Sequence, residues 1–281
     1  MRRRLPVVIC ALVLSGCSGV MDSIKSTFEE RPTAAIQEVR FADFDLSSMT
    51  LDFLVEVTNP YTFDLPVVGL EYALRTNEQP LLDGSSDLDE SIPSQGVKTL
   101  SLPLRVDLPG LLDTVTGLRP GQVIPYDAEL GLNVDVPGAG PMGLPLTRSG
   151  QLPIPAPPEV SIATIDWESM SLTEVRGTLT LEVTNPNEFA FTLKSFDYEL
   201  SLAGHSVVQG EVARSKWLSA GHKGQIPVPV SFYPGDAGAA LLGMLGGTQV
   251  DYVLAGNLDI ETPYGMIKAP FDRSGRAAQT R

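Results

Sequence analysis

The chain spells one stretch twice. "VEVTNPYTFDLP" at 55–66 and "LEVTNPNEFAFT" at 181–192 share five identical residues in a row, Glu56 to Pro60 and Glu182 to Pro186, 126 positions apart. Met49 precedes the first copy and Met170 the second. "LEYAL" at 70–74 answers "FDYEL" at 196–200, and "SQGVK" at 94–98 answers "SAGHK" at 219–223. "YDAELGLNVDVP" at 126–137 answers "YVLAGNLDIETP" at 252–263, and "LPLTRSG" at 144–150 answers "APFDRSG" at 269–275. The offset stays between 121 and 126 throughout. An ordered series at near-constant offset is a duplication. Its period is far longer than the roughly 20–50 residues of a solenoid unit. Each copy is therefore a domain, and 281 residues hold about two of ordinary size.

Periodicity identifies the kind of domain. In "LTLEVT", Leu179, Leu181 and Val183 alternate with Thr180, Glu182 and Thr184. "LSLPLRVD" at 100–107 and "IPVPVSFY" at 226–233 show the same period of two. That pattern belongs to a half-buried strand. Pro103, Pro227 and Pro229 fall on the polar phase, where the missing N–H is tolerated at a sheet edge. About seven such runs per copy, broken by Gly, Pro, Asn and Asp turns, predict a β-sandwich. One short helix is predicted in each copy, over 109–117 and 234–247, where apolar residues lie three or four apart and glycines close the run. Between the copies, "QLPIPAPPE" carries four prolines in nine residues and predicts an extended, semi-rigid connection with a narrow range of domain angles.

The shared Asn-Pro ends a strand. Pro60 and Pro186 cannot donate to a ladder and push Asn59 and Asn185 towards extended or turn backbone. The Asn carboxamide can then bond nearby backbone groups as the chain leaves the sheet.

The start has a different character. Arg2 to Arg4 precede an apolar run from Leu5 to Leu14. Roughly ten apolar residues are too few for a bilayer, which takes about 20, so the segment reads as a cleaved export signal. Leu14-Ser15-Gly16-Cys17 resembles the lipobox of bacterial lipoproteins. The resemblance implies cleavage before Cys17, lipidation of its thiol and acylation of the new amino terminus. Attachment would then run through acyl chains, and the lack of Asp after Cys17 points to the periplasmic face of the outer membrane. Loss of three arginines takes the net charge from −14 to −17. So acidic a chain suits neither nucleic acid nor an anionic surface. Cys10 lies in the signal and Cys17 carries lipid, so both domains are expected to stand on their cores without disulfides.

Chemistry is sparse. His205 and His222 are the only histidines, each in a Gly-containing turn. There is no Cys or His pair at metal-ligand spacing, no nucleophile elbow and no phosphate loop. The acidic stretch 83–91 lacks calcium-loop spacing and reads as a solvated loop between strands. Trp167 and Trp217 are expected in the core or at the domain junction. No cofactor, metal or catalytic residue is expected.

In this context Asn185-Pro186-Asn187 resembles the hallmark Asn-Pro-Asn of the late-embryogenesis-abundant type 2 family, also called the water-stress and hypersensitive-response domain. The first copy has Asn59-Pro60-Tyr61 and departs at the third position. The resemblance covers nearly the whole mature chain as two tandem domains. It implies an all-β architecture of two fibronectin-III-like sandwiches, each with one short helix. It also implies a non-enzymatic role in tolerance of drying, cold or other stress, acting on client proteins. The division is a signal peptide (1–16), a tether (17–36), a first sandwich (37–152), a linker (153–158) and a second sandwich (159–277). The competing reading is a binding module for a hydrophobic ligand, envelope lipid or protein partner, with a cleft near Leu112 or Leu242.

Overall fold

Wherever side chains alternate, the chain forms antiparallel strands. The computed structural model describes residues 30–233 apart from Leu172, together with Gly235 and residues 249–277. The first copy comprises β1 (Thr33–Ala42), β2 (Ser48–Thr58), β3 (Leu65–Thr76), β4 (Gln79–Ile92), β5 (Val97–Asp107), α1 (Leu108–Thr114), β6 (Val123–Val136) and β7 (Gly140–Pro153). The second comprises β8 (Glu159–Met170), β9 (Val175–Thr184), β10 (Phe191–Leu202), β11 (His205–Val212), β12 (Lys216–Leu218), β13 (Lys223–Phe232), β14 (Val250–Thr262) and β15 (Gly265–Ala277).

Each copy is a sandwich of a three-stranded and a longer sheet. The first has β1-β2-β5 against β4-β3-β6-β7. The second has β8-β9-β13 against β11-β10-β14-β15, with β12 also paired to β10. The expected all-β, fibronectin-III-like class holds. The proline-bearing strands β5 and β13 are edges, as their missing donors require. Inward residues such as Phe53, Leu74, Leu102 and Leu132 in the first copy and Leu179, Phe196 and Leu254 in the second are buried. Each contributes about 1.5–3 kcal/mol by leaving water. Asp107 caps α1 by accepting from Gly110 N at 2.8 Å. Leu108 and Leu111 turn into the core, so the helix closes one end of the sandwich. The helix expected over 234–247, and Leu242 with it, lies outside the described residues. So do the signal segment and Cys17.

The duplication extends to irregularities. β1 shifts register at Gln37 and β8 at Ala163, while β3 shifts at Val68 and β10 at Lys194. Both pairs are 126 apart. A bulge bends its strand and re-aims the following side chains, so both copies curve at the same places.

A second repeated device concerns the edges of the longer sheets. Four tyrosines on inner strands face four glycines on edge strands: Tyr72 opposite Gly84, Tyr126 opposite Gly150, Tyr198 opposite Gly210 and Tyr252 opposite Gly275. Each ring lies across its glycine, since an added Cβ would come within 2.6–2.9 Å of the ring or its hydroxyl. The ring shields edge backbone that has no side chain of its own.

Three expectations need correction. Residues 83–91 are not a loop but part of β4, because backbone pairing with β3 overrides the low strand preference of Asp, Gly and Ser. Their charges then guard an exposed edge. Trp217 is 64% exposed rather than buried. Leu218 turns inward in β12, so period two sends Trp217 out, at the position of Ser91 in the first copy. Trp167 does pack against the core, its ring 6.2 Å from that of Phe232. The tether also ends earlier than residue 36, since β1 begins at Thr33.

The edge glycines give a graded test. Tyr126 is only 3% exposed, so its ring cannot retreat from a new methyl group. Gly150→Ala should cost about 1–3 kcal/mol. Tyr72 is half-buried and can swing outward, and Gly→Ala also restricts the unfolded chain. Gly84→Ala should therefore cost about 1 kcal/mol or less. Urea denaturation checks both, and equal losses would contradict the ring-over-glycine account.

Candidate functional site: the Asn-Pro turns and the domain junction

The two Asn-Pro turns are built alike. Asn59 is 1% and Asn185 0% exposed. The Asn59 amide group donates to Phe63 O at 2.8 Å, Pro93 O at 3.0 Å and Ile92 O at 3.1 Å. Its oxygen accepts from Tyr61 N at 2.9 Å. Asn185 donates to Phe189 O, Ser219 O and Leu218 O at 2.8, 3.1 and 3.4 Å, and accepts from Asn187 N at 3.0 Å. One carboxamide thus joins the end of a strand, the following loop and the distant segment that enters the Ser-x-Gly-x-Lys turn. That turn replies through the backbone. Gly96 O accepts from Asn59 N and His222 O from Asn185 N, both at 2.9 Å. Pro60 and Pro186 stop the ladder in each case. Both copies use the first two motif positions in this same way.

The third position differs, and the difference has a purpose. Tyr61 is 2% exposed and stacks on Phe63 at 5.1 Å. Asn187 is 3% exposed and faces the linker instead. Its oxygen accepts from Ala156 N at 2.8 Å, and its amide donates to Ala156 O at 3.1 Å and to Asn185 Oδ1 at 3.0 Å. Both polar groups of one linker peptide residue are satisfied by a single side chain.

Around this pair the domains are joined directly. Glu188 N donates to Gly121 O at 2.7 Å, and the Glu188 carboxylate accepts from Val123 N at 2.9 Å. Ile154 exchanges backbone bonds with Gly121 and Gln122 at 2.6 and 2.8 Å. Gly121 has φ +93°, and a Cβ there would lie 2.7 Å from Pro186 O. Only glycine permits both the turn and the approach. On another side, Tyr264 in the β14–β15 turn meets Phe41 at 5.2 Å, Phe44 at 5.9 Å and Phe189 at 5.3 Å. The Phe41 and Phe189 pairs are edge-to-face, an arrangement that adds about 0.5–1.5 kcal/mol per pair beyond area burial. Burial pushes the Tyr264 phenol above its ordinary pKa. The proline-rich linker is therefore a packed element of the junction, with Leu152, Ile154 and Ala156 all buried.

The two histidines do not converge. His205 opens β11 and His222 lies in the turn before β13, both exposed. Among the described residues, no three His, Cys, Asp or Glu side chains come together as metal ligands. Leu112 packs against the core. Sequence reasoning placed Asn59, Pro60, Asn185 and Pro186 in turns but did not find Gly121, Glu188 or the Phe41–Phe44–Tyr264 cluster. The available signal was asymmetry between the copies. Asn187, Glu188 and Tyr264 stand where the first copy has Tyr61, Thr62 and Gly138.

Removing either strand-ending carboxamide leaves buried carbonyls without donors. Asn59→Ala and Asn185→Ala should each cost about 1–3 kcal/mol, visible as lowered melting temperature. A variant that melts like wild type yet loses biological activity would instead assign the motif to ligand contact.

Comparison with known proteins agrees with the duplication. The family described as late embryogenesis abundant protein (LEA_2) matches residues 54–150 and again 180–275. A protein named "Desiccation protectant protein Lea14 homolog" from Glycine max is 26% identical over 131 residues, which span 47% of this chain and 86% of that protein. "Late embryogenesis abundant protein Lea14-A" from Gossypium hirsutum is 25% identical over 126 residues, 45% of this chain and 83% of that one. A solution structure of a putative late embryogenesis abundant protein is 23% identical, with TM-score 0.38 over 50% of this chain and 83% of its own. The two curated relatives each span about one copy, and because the family model matches both copies, the chain belongs to the late embryogenesis abundant type 2 family.

Proposed function

We propose that the chain is a lipid-anchored, non-enzymatic protein of the bacterial envelope that protects other molecules from desiccation and related stress. The observation that carries this reading is that both sandwiches belong to a family whose matched relatives include proteins named for desiccation. The Leu14-Ser15-Gly16-Cys17 sequence supports anchoring. No helix among the described residues is long and apolar enough to cross a membrane. Two or more acyl chains, at about 0.8 kcal/mol per buried methylene, would hold the protein stably.

The physical character of the surface suits the role. An acidic excess of 14 charges keeps the protein soluble and self-repelling as water is withdrawn. The longer sheets expose polar faces, including Glu71, Asp127 and Glu129 in the first copy and Asp197 and Glu199 in the second. The edge strands carry prolines or charges that discourage strand addition by neighbouring chains.

The test compares survival of drying in cells that express wild type, no protein, or Cys17→Ser. Wild type should survive best and should incorporate labelled fatty acid, while Cys17→Ser should incorporate none and remain uncleaved or mislocalised. Equal survival of all three strains would contradict the protective role. Equal labelling of wild type and Cys17→Ser would contradict the anchor.

A further inference from the structure

The duplicated architecture creates one site that neither copy has alone. Where the domains meet there is a cleft of about 230 Å³. The first domain supplies the β3–β4 turn with its flanks, the chain after α1 and the start of β6. The second supplies Glu188.

The polar lining is of one kind. It consists of the amides of Asn77, Gln79 and Gln122, the hydroxyl of Thr116 and the Glu188 carboxylate. No Lys, Arg or His lines it. Much of its hydrogen-bonding capacity is unused. Among the described residues, the side chains of Asn77, Gln79 and Thr116 are exposed to solvent and have no protein partner. Gln122 spends its oxygen on Arg119 N at 3.0 Å, which leaves its N–H groups. Glu188 spends one oxygen on Val123 N at 2.9 Å, which leaves the other. Val115, Leu118, Val123 and Ile124 supply an apolar wall.

This chemistry discriminates among ligands. An anion would meet an unpaired carboxylate and no cation. A purely apolar ligand would strand the amides and the hydroxyl away from water. An ammonium has donors only and would leave the amide N–H groups unmatched. A neutral hydroxyl both donates and accepts, so several hydroxyls on one ligand can satisfy amides, hydroxyl and carboxylate together. The C–H face of such a ligand can lie on the apolar wall. The volume falls below the roughly 300–1,000 Å³ of drug-sized sites and suits one sugar ring.

We propose that the junction cleft binds a neutral polyhydroxylated molecule the size of one sugar ring, either free in solution or at the end of a glycan. The ligand touches both domains, so its binding favours the joined arrangement over any other.

The test is a titration of the isotopically labelled full-length chain, followed by amide chemical shifts, with glucose and separately with maltotetraose. Saturable shifts confined to 76–79, 115–124 and 188 are expected with at least one of them. Saturation by glucose alone marks a free solute, and saturation by the tetrasaccharide marks a glycan end. Two variants should weaken binding roughly 3- to 10-fold, the equivalent of one hydrogen bond. Asn77→Gly removes an amide while keeping a residue suited to φ +46°. Thr116→Val is isosteric at an exposed position. The proposal is overturned if neither sugar saturates, if the shifts spread evenly over the protein, or if both variants bind as wild type does.

Discussion

A carboxamide buried at the end of a strand must find partners for two N–H groups and an oxygen, or it destabilises the fold by the full cost of its desolvation. In each sandwich Asn59 or Asn185 meets that demand with three carbonyls and one backbone N–H. The carbonyls come from segments about 33 residues away as well as from the adjacent loop. No shorter side chain reaches all of them, and a carboxylate could only accept. The result fixes where β2 or β9 stops, how the chain crosses to the other sheet, and where the opposite turn closes. Asn followed by Pro is thus one local solution to a long-range problem of closure.

Duplication supplies two such closures, and divergence at a few positions turns two domains into one assembly. Where the copies keep the same job they keep the same residues, as in the Asn-Pro pair and the tyrosines laid over edge glycines, or the same geometry, as in the bulges. Where only one copy faces a neighbour they differ. The first copy spends its third motif position on Tyr61, which stacks within its own loop. The second spends it on Asn187, which pairs with both polar groups of Ala156. Glu188 and Tyr264 extend the same surface towards Gly121 and towards Phe41 and Phe44. The full Asn-Pro-Asn is therefore a strand terminator with a junction residue attached.

The sandwich was legible because period-two alternation, proline phase and repeat offset are local properties, and all of them pointed to the same class. Edge assignment of β5 and β13 followed from proline chemistry alone. The misreadings came from interactions that span the chain. Asp83–Ser91 looks like a loop by composition, and only pairing with β3 makes it a strand. Trp217 looks like core by type, and only the inward turn of Leu218 in the short β12 sends it outward. The junction was invisible residue by residue, because Gly121, Glu188 and Tyr264 carry no motif. Its residues lie where the copies differ, as with Tyr264 at the position where the first copy has Gly138.

The central claim is that the Asn-Pro-Asn turn of the second copy joins two sandwiches into one body through the linker. Residual dipolar couplings of backbone amides in a weakly aligning medium test this most directly. Both domains of the wild type should fit one alignment tensor with the interdomain orientation described above. Asn187→Ala should keep two folded domains but require two different tensors. Different tensors for the two domains of the wild type would contradict the account.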